Sequence, residues 1–241
     1  MFESIHLASC PNWKLRVTCA MIVLVLVAVL VWLLRMTQMP LGSYLGPLSP
    51  LTAEQSEIRD RLSSDVNYLS VTVGDRSTER AGSLQKTTAY IRESLQLAGY
   101  AVGDLPYQVG GQQVSNLEAI LVGSETAQGS VVVGPHYDSV AGTVGANDNA
   151  TGVAATLELA RLMKGSHLRK TVRFLFFVNE EPPYFQSENM GSRVYARHLR
   201  RESIPVSAMI SLETIGFYSD AAGSQKYPPV LSLFYPNRGT S

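Results

Sequence analysis

Residues 131–181 run VVVGPHYDSVAGTVGANDNATGVAATLELARLMKGSHLRKTVRFLFFVNEE, and the order of patterns within them decides the fold. VVVGP and VRFLFFV are short, rich in β-branched and aromatic residues and nearly unbroken in apolar character, as strands covered on both faces must be. Between them, DNATGVAATLELARLM carries Ala154, Leu157, Ala160 and Leu162 among its apolar positions and reads as a helix. A second helical segment, MGSRVYARHLRRE, leads to a third apolar run, VSAMISL. Strand, helix, strand, helix, strand predicts right-handed crossovers and parallel neighbours, so the carboxyl ends of all three runs share one sheet edge. The expected fold class is α/β: a three-layer sandwich with a central mixed, mostly parallel sheet flanked by helices, preceded by a single transmembrane helix.

Ionisable residues gather where these runs stop. His136 follows VVVGP, Glu180 and Glu181 follow VRFLFFVN, Glu213 follows SAMISL, and Asp148 sits in a glycine-rich loop between the first two. Crowded carboxylates at one dry edge repel one another and lose hydration, so they stay ionised only beside cations. With His136 as a neutral ligand, the carboxylates of Asp148, Glu181 and Glu213 plus one hydroxide balance two Zn²⁺ ions. Glu180 is then free to act as the general base toward water. Neighbouring strand residues point to opposite sides, so Glu180 and Glu181 need not do the same job.

GPHYDSV, GANDNATG, VNEE, NMGSRVYA and ISLETIG together resemble the motifs of the co-catalytic zinc metallopeptidases of clan MH, the group of bacterial leucyl aminopeptidase and aminopeptidase Y, with glutaminyl cyclase as a relative. The resemblance covers about residues 80 to 220. It implies that His136 and Glu213 hold one zinc, that Glu181 holds the other and that Asp148 bridges them. Asp138 matches the carboxylate that orients the imidazole, and Glu180 matches the general base. The implied activity is that of a membrane-anchored exopeptidase attacking peptide bonds with metal-held hydroxide, with peptide as substrate. A single-zinc, glutaminyl cyclase-like enzyme and a non-catalytic or truncated peptide-binding ectodomain are the alternatives. Glu213 stands where many relatives have Asp, and the loop PPYFQSEN after Glu181 is longer than a minimal helix entry. The family's last zinc ligand, a His in a Ser-Asp-His motif, has no counterpart before Ser241, so the chain resembles a truncated member whose second metal site is incomplete. His6, His167 and His198 sit in contexts expected to be solvated rather than ligating. Imidazole and carboxylate donors suit Zn²⁺ and also accept Mn²⁺ or Co²⁺.

Toward the amino terminus, residues 17–34, VTCAMIVLVLVAVLVWLL, form an uncharged stretch long enough to cross a bilayer. Lys14 and Arg16 before it favour a cytoplasmic amino end, residues 1–16, with the remaining chain periplasmic or extracellular. Residues 35–51, rich in Pro, Gly and Ser, are expected to be a linker, and residues 52–241 the peptidase-like domain, incomplete at its carboxyl end. Cys10 and Cys19 both lie in or before the span, so the outer region stands on its core without a disulfide. Twenty basic and twenty acidic residues leave no net charge, which disfavours nucleic acid as a partner. Thr52 and Ser83 are expected to cap two scaffold helices, and YAVGDLPYQVGG with QQVSNLEAILVG to form a hairpin about a Gly-Gly turn. PPVLSLFYPNRGTS is expected to begin a further strand. Asn149-Ala150-Thr151 matches a glycosylation acceptor, but a sugar there would block the site, so it is read as unused.

Overall fold

The computed structural model describes residues 13–37, 49–125, 129–219, 221–228 and 237. The chain divides into two units, residues 1–47 with 239–241 and residues 48–238. In the first, α1 (Trp13–Thr37) is one continuous helix. Its stretch Trp13–Arg35 is long and apolar enough to cross a membrane, a test that a signal sequence also meets. His6, most of the expected cytoplasmic segment and most of the expected linker lie outside the described residues, as does most of the expected final strand.

In the second unit, α2 (Ala53–Asn67) starts at a capping box. The Gln55 N–H donates to the Thr52 hydroxyl at 3.2 Å, and the Thr52 N–H donates to the Gln55 side chain at 3.0 Å. A wider π-helical turn, Tyr68–Val73, follows. The next helix, α3 (Ser83–Leu97), contains Ser83 as its first residue; the cap is Gly82. The Ser83 hydroxyl donates backwards to the carbonyls of Ser77 and Arg80, which takes it away from the helix N–H groups it was expected to cap.

Strands β1 (Val102–Val109) and β2 (Gln112–Leu121) form the expected antiparallel hairpin about Gly110 and Gly111, both at positive φ. Then come β3 (Ser130–Gly134), α4 (Thr151–Met163), β4 (Val172–Phe176), α5 (Gly191–Arg201) and β5 (Val206–Ser211). The sheet order is β1-β2-β4-β3-β5. β3 pairs in parallel with both β4 and β5, whereas β2 meets β4 antiparallel. The sheet is therefore mixed in equal parts by pairing.

Alternation in the two central strands explains their unbroken apolar sequence. Val133, Val172, Phe174 and Phe176 join Leu84, Ile91, Leu95, Val153, Leu157 and Ala160 in the larger core, on the side of α3 and α4. Val132, Leu175 and Phe177 join Tyr195 of α5 in a smaller core on the other side. Both faces of β3 and β4 are thus needed for burial. β5 differs from the expectation of a covered central strand. All six of its residues are exposed, Met209 and Ile210 by nearly half, and no described strand pairs with its outer side. Leu162, expected on the apolar face of α4, is also half exposed, because the buried stripe there runs through Val153, Ala154, Leu157 and Ala160.

Candidate metal centre

The parallel register brings the site together. Gly134 pairs with Ser211, and His136 bridges Phe177, so His136, Glu180 and Glu213 all emerge just past the carboxyl ends of adjacent strands. The Nε2 of His136 lies 3.0 Å from Asp148 Oδ1, 3.4 Å from Glu213 Oε2 and 3.8 Å from Glu180 Oε2. Two groups have ligand atoms within 4.8 Å of one another: His136 with Asp148 and Glu213, and His136 with Glu180 and Glu181. His167 and His198 join neither group among the described residues.

The two ends of the imidazole are in different situations. Nδ1 lies 3.1 Å from the Asp138 carbonyl and 3.4 Å from its carboxylate. A hydrogen on Nδ1 serves those acceptors and leaves the Nε2 lone pair facing the cluster. Nε2 is buried without a hydrogen bond of acceptable geometry, although carboxylate oxygens surround it. His136 is 3% exposed, whereas Asp148, Glu180 and Glu213 are partly open to solvent. The imidazole is the floor and the carboxylates are the rim.

Electrostatics describes the same demand for positive charge. Burial lowers the basicity of His136, but Asp138 and Glu213 outweigh it and push the imidazole up to about 11. Burial, then the nearby Asp148 charge, pushes Glu181 up to about 7. Burial also raises Asp148 and Glu180, with His136 acting in the opposite direction on both. The charge that draws a proton to Nε2 would equally draw a metal cation. The donor set fits one: zinc bonds of about 2.0–2.2 Å in a tetrahedron separate ligand atoms by about 3.4 Å, close to the His136 spacings from Asp148 and Glu213.

Asp138 does more than its expected part. Its carboxylate accepts the Glu180 N–H at 3.3 Å and the Glu181 N–H at 3.1 Å, so one buried side chain docks the end of β4 onto the end of β3. That contact also corrects the expectation for Glu180 and Glu181. They are loop residues after Asn179, at φ +62, and both side chains reach the neighbourhood of His136. The strand ends first, so strand alternation does not separate them.

Two asparagines and an arginine hold the frame. Asn149, fully buried, donates to the Leu212 carbonyl at 2.8 Å and to Glu213 Oε2 at 3.1 Å, and accepts the Gly152 N–H at 3.0 Å. A Cβ on Gly152 would lie 2.4 Å from Asn149 Oδ1, so the position has no room for a side chain. With its amide so occupied, Asn149 is not a sugar acceptor in this fold. Asn116 accepts the Val178 N–H and donates to the Gly191 carbonyl, tying β2 to the end of β4 and the start of α5. Arg76 is buried entirely beneath the loops that carry His136 and Asp148. Of these, only Asn149 stood within a recognisable sequence motif.

Residues 116–234 match peptidase family M28. Over those residues the chain carries the pattern of that family. Among similar proteins, uncharacterized protein YfbL of Escherichia coli is 39% identical over 190 residues, covering 75% of this chain and 57% of YfbL. Among solved structures, this chain is similar to the zinc aminopeptidase BSAP of Bacillus subtilis, with a TM-score of 0.57 and 15% identity over 69% of this chain and 71% of that one. The glutaminyl cyclase of Porphyromonas gingivalis aligns with a TM-score of 0.54 and 22% identity over 73% of this chain and 67% of that one. At these identities the two structures speak for the fold. The chain spans little more than half the length of YfbL.

Proposed function

We propose that the chain is the membrane-anchored core of a zinc-dependent exopeptidase that removes residues from the amino ends of peptides. The observation that carries this reading is the buried Nε2 of His136, without a hydrogen bond and ringed by Asp148, Glu180 and Glu213 at 3.0–3.8 Å. The family match supports hydrolysis, and the two His-carboxylate groups support the metal. His136, Asp148 and Glu213 would hold one ion, and Glu181, with Asp148 between, would contribute to a second. Bound zinc supplies Lewis-acid polarisation of the scissile carbonyl and lowers the pKa of water.

The chain's own residues do the remaining work. Asp138 fixes the imidazole through Nδ1 and positions Glu180 and Glu181 through their N–H groups. Glu180, raised by burial and partly open to solvent, is placed to accept a proton from attacking water and return it to the departing amine. We assign α1 as a retained anchor, with the second unit outside the cytoplasm; Lys14 and Arg16 ahead of the apolar stretch support that orientation. A second reading, one zinc acting on amino-terminal glutamine, is favoured by the single imidazole shared by both ligand groups.

The test is metal content and turnover of the full chain in detergent. One to two zinc ions per chain, with chelator-sensitive release of amino-terminal residues from aminoacyl-amides, is the expected outcome. Cyclisation of glutaminyl peptides without such release would select the second reading. Fewer than one zinc per chain at neutral pH and saturating Zn²⁺ would overturn both.

A further inference from the structure

Among the described residues, Arg76 is one of the largest side chains to be completely buried. Its guanidinium has no carboxylate partner among the described ion pairs, yet every nitrogen donates. Nε donates to the Tyr137 carbonyl at 2.8 Å. Nη1 donates to the carbonyls of Leu69, Gly74 and Val144 at 3.0, 3.1 and 2.7 Å, and Nη2 to that of Gly145 at 2.8 Å. Its backbone joins in: the Arg76 N–H donates to the Ser139 hydroxyl at 3.0 Å, and the Ser139 N–H donates to the Arg76 carbonyl at 3.2 Å. The Ser139 hydroxyl in turn donates to the Thr143 carbonyl.

These acceptors belong to the segments that deliver the candidate ligands. Tyr137 directly follows His136, and Val144 and Gly145 lead into the turn bearing Asp148. Gly145, at φ +50, has no Cβ; one placed there would be 2.7 Å from Arg76 Nη2 and 2.4 Å from the Asp148 carbonyl. The guanidinium and the turn are therefore packed to a tolerance that only glycine permits.

A buried cation without a paired carboxylate costs several kcal/mol of desolvation, and a methionine would fill similar space without that cost. What arginine adds is five donors in one rigid fork, which no neutral side chain provides. Burial lowers its pKa to about 10, which leaves it charged at neutral pH. We infer that Arg76 is a positioning residue, a carbonyl clamp that fixes the His136 and Asp148 loops at the separation a shared metal ion requires. The inference rests on the metal reading above. Arg76 touches neither substrate nor ligand atom; it acts through the backbone that carries them.

The experiment is Zn²⁺ titration by chelator competition on the full chain in detergent, for the wild type and for Arg76→Gln, Arg76→Lys, Ser139→Ala and Arg161→Gln, with folding checked by circular dichroism. Loss of an outer contact to a metal site weakens affinity by about 10–100-fold, and that range is expected for Arg76→Gln, with partial recovery in Arg76→Lys. kcat is expected to fall with KM within about threefold, because the clamp does not contact substrate. Arg161→Gln breaks the distant contact with Asp65 and Glu158; it should lower the melting temperature while leaving Zn²⁺ affinity within about threefold. If Arg76→Gln does not fold, Ser139→Ala carries the test, with a loss of several-fold expected. Wild-type affinity in folded Arg76→Gln, or in Ser139→Ala where that variant stands in, would overturn the clamp. So would a parallel loss in Arg161→Gln, since affinity would then merely follow stability. A wild-type chain that binds no Zn²⁺ would overturn the metal reading itself, and the clamp with it.

Discussion

Two clusters of charge in the second unit obey opposite rules. Between α2 and α4, Arg61 and Arg161 face Asp65 and Glu158: Arg61 meets Glu158 at 2.6 Å, and Arg161 meets Asp65 at 2.8 Å and Glu158 at 3.1 Å. Tyr90 donates a further hydrogen bond to Asp65. Two cations balance two anions, and both buried carboxylates are satisfied. At the sheet edge, five carboxylates, Asp138, Asp148, Glu180, Glu181 and Glu213, gather about one imidazole that keeps an orphaned nitrogen. The first cluster is complete in itself. The second has a charge deficit built into the fold, and on the proposed reading that difference separates a structural ion network from a metal site.

The largest effect that sharpens this contrast concerns Glu180. Glu180→Gln keeps the size of the side chain but removes its ability to take a proton, so kcat should fall by about 10²–10⁴-fold with zinc content unchanged. A loss below tenfold at full zinc occupancy would remove Glu180 from the proton-transfer role. In the balanced cluster, Glu158→Gln removes the shared negative charge and one of the two oxygens that accept from Arg61 and Arg161. Unfolding free energy in urea should drop by about 1–3 kcal/mol, while zinc affinity stays at the wild-type value. A drop in zinc affinity would show that the two clusters are coupled.

The smallest effect is a pH signature. Burial works to raise Glu158, but the hydrogen bonds from Arg61 and Arg161 prevail and hold it below the usual carboxylate range. A carboxyl group with a lowered folded pKa contributes stability above its unfolded value near 4.5, and that contribution is lost as pH falls through the folded value. Urea midpoints measured from pH 6 downward should therefore fall less steeply in Glu158→Gln than in the wild type. Identical slopes would mean that the arginines do not hold Glu158 in solution.

Much of this was legible in the chain itself, and for identifiable reasons. The apolar runs at 131 and 172 gave strands because burial on both faces leaves few polar positions, the run at 206 gave a third although its residues are exposed, and chain order then fixed which ends face the same way. His136, Asp148, Glu181 and Glu213 stood out as candidates because each lies one to three residues beyond a pattern boundary or within a glycine-rich loop. Spacing could not place the exact end of β4, since Asn179 leaves the strand by a positive φ that an Asn residue does not announce. Ser83 looked like a cap because local sequence does not reveal that its hydroxyl is engaged by the preceding loop. Arg76 was invisible for a more general reason: an isolated arginine in a polar stretch is usually solvated, and its five acceptors come from four segments as far away as residue 145. The exposed state of β5 was equally hidden, because apolar composition reports a demand for cover without reporting whether cover arrives.

That strand carries a practical consequence. Val206, Met209 and Ile210 stand in solvent along a ribbon whose outer side meets no described strand, the kind of margin that recruits foreign backbone. With α1 held in detergent, this ribbon is a margin of the described second unit at which molecules can adhere, and light scattering that climbs with protein concentration would be its signature. A lysine in place of Met209 is the simplest way to keep such samples clear.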